Sequence, residues 1–206
     1  MSEREPDLAA RPVGELLADL AARRPVPGGG AAAGIVTATA AGLASMVVAY
    51  SLGRTSLAEH EVELRTIGER LESLRRDALA AAEEDARAYA GLQELWSLDR
   101  TDPVRIAKWT TAVEAAIAAP RRIMEIAVEV LAVAERLEDR SNRMLRSDLA
   151  IAAILADAGH RSGAANVRIN LPLFDDPTRL ETEGRGLDAA IDEVRRRAER
   201  LERACR

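Results

Sequence analysis

The sequence predicts an all-α protein, an up-and-down multi-helix bundle with long antiparallel helices. Three observations lead there. Hydrophobic residues supply 48% of the 206-residue chain and charged residues 31%, but aromatics only 2%. That mix suits helices closing on one another through small side chains rather than a β-sandwich. Apolar residues recur at three-four spacing over long stretches, the period of a helix with one buried face. No run reads as a strand, and no internal repeat is visible. A chain of this length is expected to be a single domain, residues 1–206, with a core of useful size.

Residues 6–23 suit a short amphipathic helix with Val13, Leu16, Leu17 and Leu20 on its buried side. Pro25 and Pro27 stop it. Residues 25–53 then run for 29 positions without a charge, bracketed by Arg24 and Arg54. Gly30, Gly34, Ala38 and Gly42 recur every four residues, so they stack on one face and let another helix approach at backbone distance. Each helical glycine costs ~1 kcal/mol relative to alanine, which close packing must offset. The turn Gly28-Gly29-Gly30 reads either as incidental or as a ligand-facing corner built from the first helical N–H groups. A membrane span is disfavoured, because Leu, Ile and Phe are sparse here and no other segment resembles one.

From Leu57 to Leu98 one long helix is expected, with the stripe Leu64, Ile67, Leu71, Leu74, Ala78, Ala81, Ala88, Leu92 and Leu95. Between Ala81 and Ala88 the seam falls on Asp85. A carboxylate there must be paired, hydrogen-bonded, protonated or open to a cavity, since an isolated buried charge is very costly. Burial would raise its pKa toward the range useful for proton transfer. An ordinary ion pair with an arginine is the competing reading.

Asp102 and Pro103 restart the chain as N-cap and first helical residue. The next helix runs to about Leu137 on the stripe Ile123, Ile126, Val130, Val133 and Leu137, with a kink or break expected at Pro120. Arg136, Arg140, Arg143 and Arg146 form a connection that suits a solvated helix end, though arginines also bind carboxylates and phosphates. A small-residue helix follows from Leu149 to about Arg168. Asn166 and Asn170 lie four apart on the face of Gly159 and Gly163, placed either to cap or to bind a heterocycle of mixed donors and acceptors. After Asp176-Pro177 a last amphipathic helix carries Leu187, Ile191, Val194, Ala198 and Leu201.

The net charge of −5 argues against nucleic acid as a partner. Cys205 is the one cysteine, so no disulfide framework or thiolate metal site is expected. Neither His60 nor His160 follows a glutamate by three residues, which strikes out a di-iron bundle, and no metal is expected. Phosphate-loop and nucleophile-elbow patterns are missing. The first twelve residues are charged and lack an apolar signal core, so a cytoplasmic protein is expected, with no membrane association.

Several motifs together resemble one family, the cyclodeaminase/cyclohydrolase family. It comprises the C-terminal domain of formiminotransferase-cyclodeaminase and the stand-alone methenyltetrahydrofolate cyclohydrolases. PVPGGGAAA at Pro25–Ala33 and LASMV at Leu43–Val47 look like its glycine signature and continuation. DARAY at Asp85–Tyr89 is similar to its D-A-x-A-[FY] motif, and Pro120 sits where the family has a proline. Ser141-Asn142 with Ser147-Asp148, then NVRINL at Asn166–Leu171, follow in order. Ser141 departs from the family's usual glycine. The likeness covers about residues 8 to 200.

What the resemblance implies is a dimeric all-helical enzyme of folate one-carbon metabolism. Its substrate is a tetrahydrofolate derivative, bound near the subunit interface with no cofactor. Asp85 is the implied catalytic acid/base. Gly28, Gly29, Gly30, Arg54, Asn142, Asp148, Asn166 and Asn170 are the implied substrate-binding residues, with Arg54 aimed at the glutamate tail. Formiminotetrahydrofolate cyclodeaminase is the first expectation and methenyltetrahydrofolate cyclohydrolase the second. No transferase domain is expected within the chain. A helical interaction module without activity is the non-enzymatic alternative.

Overall fold

The computed structural model of the chain describes residues 8–174 and 176–206. Six α-helices are present among them: α1 (Val13–Ala21), α2 (Gly29–Ala49), α3 (Glu61–Trp96), α4 (Pro103–Glu135), α5 (Arg146–Asn170) and α6 (Pro177–Ala204). Short 3₁₀ turns occupy Thr55–His60, Arg143–Leu145 and Leu171–Phe174, and the described residues contain no strand. The fold class is therefore all-α, as the periodicity requires.

Helices α2 to α5 form a ring in which each packs on two neighbours, and α6 lies along α5. Residue pairings fix their directions. Gly34 meets Ala78 and Ala82 while Val48 meets Gly68, so α2 and α3 run antiparallel. Trp96 lies beside Trp109 at one end of the α3/α4 pair and Arg70 bonds Glu129 at the other. Asn166 lies beside Gly29 and Gly159 abuts Thr37, while Asn170 bonds Ala116 and Gly163 abuts Pro120 and Met124, which sets α5 antiparallel to both α2 and α4. Short connections leave little choice, since a helix that turns back after a few residues must lie beside its predecessor.

The core is aliphatic and small. Ala40, Ala41, Ala44 and Val47 of α2 meet Leu64, Leu71 and Leu74 of α3, Ile123 and Val130 of α4, and Leu149 and Ala153 of α5. Helix α2 has the length and composition of a membrane span, yet its inner face is a seam of fully buried alanines packed along α3 and α5. Glu63 receives Arg136 at 2.9 Å and Arg140 at 2.8 Å, so two of the connector arginines tie α4 to α3. Such exposed pairs contribute only about 0–1 kcal/mol each. They fix register more than they hold the bundle.

Three elements differ from expectation. Helix α1 spans nine residues, not eighteen. Only Leu16 is buried in it, while Val13 and Leu17 are 70% and 58% exposed. So short a helix rests on the bundle along one line and cannot cover both flanks of its stripe. The seam of α3 passes through Ala78, Ala82 and Ala86 rather than Ala88, following i, i+4 steps. Asp85 consequently stands at the edge of that seam. Finally, Pro120 neither ends nor breaks α4, which continues for 33 residues with the proline buried inside it.

The glycine face sorts into strict and lenient positions. A Cβ on Gly34 would come within 2.6 Å of the Ala82 Cβ and 2.8 Å of the Ala78 carbonyl oxygen. A Cβ on Gly42 would meet only the flexible Arg75 chain at 3.6 Å, an ordinary contact. Gly34→Ala is therefore expected to destabilise by about 1–3 kcal/mol through overpacking against backbone. Gly42→Ala is expected to be neutral or to stabilise by up to ~1 kcal/mol through helix propensity. Urea denaturation of the two variants checks the opposite signs.

Candidate active site

At the N-terminal end of α2 a cavity of about 240 Å³ opens between α2, the C-terminal half of α3 and the last turns of α5. Its polar wall is Gly28, Gly29, Gly30, Asp85, Asn166 and Asn170. Proline and glycine chemistry puts the backbone there. Pro27 cannot continue a helix, and Gly28 takes an extended N-cap conformation before α2 begins at Gly29. No side chain caps this helix. Its first N–H groups, which have no intrahelical acceptor, are left at the wall of the cavity.

Asp85 rises from α3 onto that wall, and its carboxylate lies against Gly30. A Cβ on Gly30 would overlap both carboxylate oxygens, so at this position glycine is a steric requirement. At Gly28 and Gly29 a Cβ would meet neighbours only at 3.8 and 3.5 Å. Of the three consecutive glycines, Gly30 alone is demanded by close contact. Among the described residues no arginine and no hydrogen-bond donor reaches the Asp85 carboxylate. With burial as the sole influence, its pKa is pushed up to about 6. An unpaired carboxyl facing a cavity is one of the arrangements a seam acid permits, and the arginine pair is not formed.

Asn166 spans the entrance of the helix. Its Oδ1 lies 3.5 Å from the position a Gly29 Cβ would take, and its Nδ2 donates to the Ser162 carbonyl at 3.2 Å. Asn170, one turn later, donates Nδ2 to the Ala116 carbonyl at 2.9 Å. That bond has a specific cause. In α4 the Ala116 oxygen would normally accept from the N–H of residue 120, but Pro120 has none. Asn170 supplies the missing donor from the neighbouring helix. One of its two amide hydrogens is thus used inside the protein, which leaves the other and the oxygen unengaged among the described residues at the cavity wall.

Arg54, Asn142 and Asp148 do not line this cavity. They sit at the opposite end of α2, whose 21 residues span ~30 Å. Arg54 is exposed and precedes the Thr55–His60 turn. Asn142 is buried and engaged within the fold: its N–H donates to Ser51 Oγ at 2.8 Å, its Nδ2 to the Tyr50 carbonyl at 3.4 Å, and its Oδ1 accepts from the Met144 N–H at 3.1 Å. It locks the α4–α5 connection onto the end of α2. Asp148 occupies the first turn of α5, where an acid complements the helix dipole. Motif order alone gave no measure of this separation. Two lining residues the sequence reading left out are Tyr89 and Ile169. Tyr89 was legible, since it follows Asp85 by one helical turn on the same face. No three His, Cys, Asp or Glu side chains among the described residues gather as a metal site.

The proline patch yields a double-mutant test. Asn170→Ala is expected to cost about 1–3 kcal/mol by leaving the buried Ala116 carbonyl unsatisfied. In a Pro120→Ala background the restored N–H takes over that acceptor, so the same substitution costs a small fraction of this. Equal costs in both backgrounds, measured by chemical denaturation, would refute the assignment.

The family model described as formiminotransferase-cyclodeaminase matches residues 12–185. A methenyltetrahydrofolate cyclohydrolase from Methylorubrum extorquens is 32% identical over 186 residues, covering 88% of this chain and 89% of that protein. A formimidoyltransferase-cyclodeaminase from Mus musculus is 26% identical over 87% of this chain, which spans 34% of the mouse protein. Among solved structures, a formiminotetrahydrofolate cyclodeaminase from Thermotoga maritima shares the fold, with a TM-score of 0.82, 24% identity, and coverage of 96% and 98%. The cavity walled by a glycine turn, a seam aspartate and two asparagines thus sits in a chain that belongs to the formiminotransferase-cyclodeaminase family.

Proposed function

We propose that the protein is a methenyltetrahydrofolate cyclohydrolase in which Asp85 carries the proton. One observation supports the chemistry above all others. The cavity contains an unpaired carboxyl whose pKa burial has raised to about 6, next to backbone that can approach a planar ligand. The choice of reaction rests on sequence likeness, since the relative at 32% identity is a cyclohydrolase whereas the mouse and Thermotoga maritima proteins named cyclodeaminase stand at 26% and 24%. This reverses the order expected from the motifs, where cyclodeaminase came first.

The reaction adds water to the carbon that bridges N5 and N10 of 5,10-methenyltetrahydrofolate. The Asp85 carboxylate takes one proton from the attacking water as the C–O bond forms. It returns that proton to N5 as the C–N5 bond breaks, leaving the formyl group on N10. The second water proton goes to solvent. While ionised, the same carboxylate faces the substrate's amidinium cation and stabilises it. The N–H groups of the Gly28–Gly30 turn and the amide of Asn166 face the pteridine edge. Hydrolysis changes no oxidation state, so no redox cofactor is required, and the carbon attacked belongs to a cation that is already electrophilic without a Lewis acid.

Cyclodeaminase is the second reading, favoured by the relatives of that name. There N10 attacks the formimino carbon and ammonia departs from the same kind of tetrahedral centre. One carboxylate again accepts the proton from the nucleophile and delivers it to the leaving nitrogen. Methenyltetrahydrofolate absorbs in the near ultraviolet, so its loss in water or its formation from 5-formiminotetrahydrofolate separates the two with purified protein.

Asp85→Asn is expected to remove turnover while keeping folate binding. In the parent, kcat/KM is expected to rise with pH through a midpoint near 6, as the carboxylate ionises. Stability moves the other way. A carboxyl whose folded pKa lies above its unfolded value of 3.8 penalises the fold increasingly as pH rises from there through about 6. Asp85→Asn is therefore expected to be more stable than the parent above pH ~6, with the gain vanishing below pH ~4. A pH-independent kcat/KM, or an Asn variant that turns over normally, would overturn the assigned role.

The working form we propose is a cytoplasmic homodimer. Val36, Thr39, Leu43, Met46 and Tyr50 make one uncharged outward face of α2, with Tyr50 63% exposed. Ile151 and Ile154 of the adjacent α5 extend it. An apolar face of this extent suits burial against a second copy. Sedimentation is expected to give about twice the 22.2 kDa of one chain, and Met46→Glu to return it to the monomer.

A further inference from the structure

The mouth of the Asp85 cavity differs in character from its floor. Asp85, Asn166 and the glycine turn are polar, whereas Tyr89 and Ile169, which also line it, are apolar and open to solvent. Tyr89 is 38% exposed and Ile169 73% exposed. Neither exposure is forced by the bundle, since both residues belong to helices that bury other faces well. The Tyr89 ring is also held in place. It meets the Trp96 ring edge-on at 6.3 Å between centroids, and Trp96 meets Trp109 at 6.4 Å. Trp109 in turn donates its indole N–H to the Leu173 carbonyl at 3.3 Å. A chain with two Trp, two Tyr and one Phe has placed three of these five aromatics in one ladder ending at the cavity.

We infer that Tyr89 and Ile169 form an aryl subsite that takes the p-aminobenzoyl ring of the substrate and selects folates over bare pterins. This rests on the folate reading given above. The spacing favours it. N10 joins the bridging carbon directly to that ring, so a substrate whose reacting carbon faces Asp85 carries its aryl group one helical turn away. Tyr89 stands at that distance, four residues or ~6 Å along α3. The fixed Trp96 edge holds the tyrosine in one orientation, so little side-chain freedom is lost when a ring packs on it.

The test is calorimetric titration of tetrahydrofolate and of 6-methyltetrahydropterin, which lacks the aryl group, into the parent, Tyr89→Ala, Tyr89→Phe and Ile169→Ser proteins. Tyr89→Ala is expected to weaken tetrahydrofolate about tenfold and to leave the pterin unchanged. Tyr89→Phe is expected to keep the parent's preference. Ile169→Ser, at an exposed position that cannot unfold the bundle, is expected to show the same ligand-selective loss at a few-fold level. Equal weakening of both ligands, or no change for either, would overturn the subsite. A parent protein that binds the pterin but not tetrahydrofolate better would also overturn it, whereas a parent that binds neither would bring down the folate reading itself.

Discussion

A carboxylate pressed against a backbone with no side chain is the contact on which the rest depends. Because Gly30 offers no Cβ, Asp85 can lie over the first turn of α2 without being pushed into water or toward an arginine. That closeness removes solvent from the carboxylate, and the loss of solvent alone raises its pKa to about 6. The N-terminus of a helix ordinarily favours a negative charge nearby. Here desolvation outweighs it, because no donor is aimed at the carboxylate. The result is a group poised to exchange protons near neutrality.

The glycines beyond the site serve that contact. Gly34 brings α2 and α3 together one turn below Gly30, Gly159 brings α5 onto Thr37 of α2, and Gly163 brings α5 onto α4 at Pro120. Each tolerates a helix-propensity loss of about 1 kcal/mol because the backbone-to-backbone approach cannot be had otherwise. Pro120 adds a second irregularity at the same level, and Asn170 repairs it. The carbonyl that Pro120 leaves unmatched is thereby satisfied at the cavity wall, and the asparagine that answers it is held in place there. One proline thus positions a cavity-wall amide from the adjacent helix.

Much of the fold was legible. The three-four stripes locate α3 to α6 closely, and the stripe residues Ile123, Ile126, Val130, Val133 and Leu137 are all buried. What periodicity misplaced lay where helices end or drift. Val13 and Leu17 are exposed because a nine-residue helix has too little contact area to bury two flanks. The α3 seam slips from Ala88 to Ala86 because 3.6 residues per turn does not divide evenly into a stripe read over forty residues. Asp85 was found by its chemistry, as a charge in an alkyl row. Arg54, Asn142 and Asp148 were grouped with it by motif order, which carries no distance. The length of α2 separates them, and Asn142 is buried at the α4–α5 connection, bonded to the end of α2. Tyr89 entered only as the last residue of the DARAY motif, with no role of its own. Its exposure at the cavity is a three-dimensional fact.

The same site physics explains how relatives of one fold carry two reaction names. Water attack on a methenyl bridge and ammonia loss from a formimino group pass through closely similar tetrahedral carbons between N5 and N10. Each needs a proton removed from the nucleophile and one given to the departing nitrogen, and each begins or ends at a cation. A carboxyl with pKa near 6 is a competent base toward water or an amine and a competent acid toward a leaving amine, with comparable populations of both forms around that pH. A lower value would leave too little acid for the second half of either reaction, and a much higher one too little base for the first. Under the role proposed for Asp85, selection between the reactions cannot come from that carboxyl. It would fall to whatever in the cavity admits a water molecule or an amino group at the bridging carbon, and the Asn166 amide and the uncapped first turn of α2 line that space.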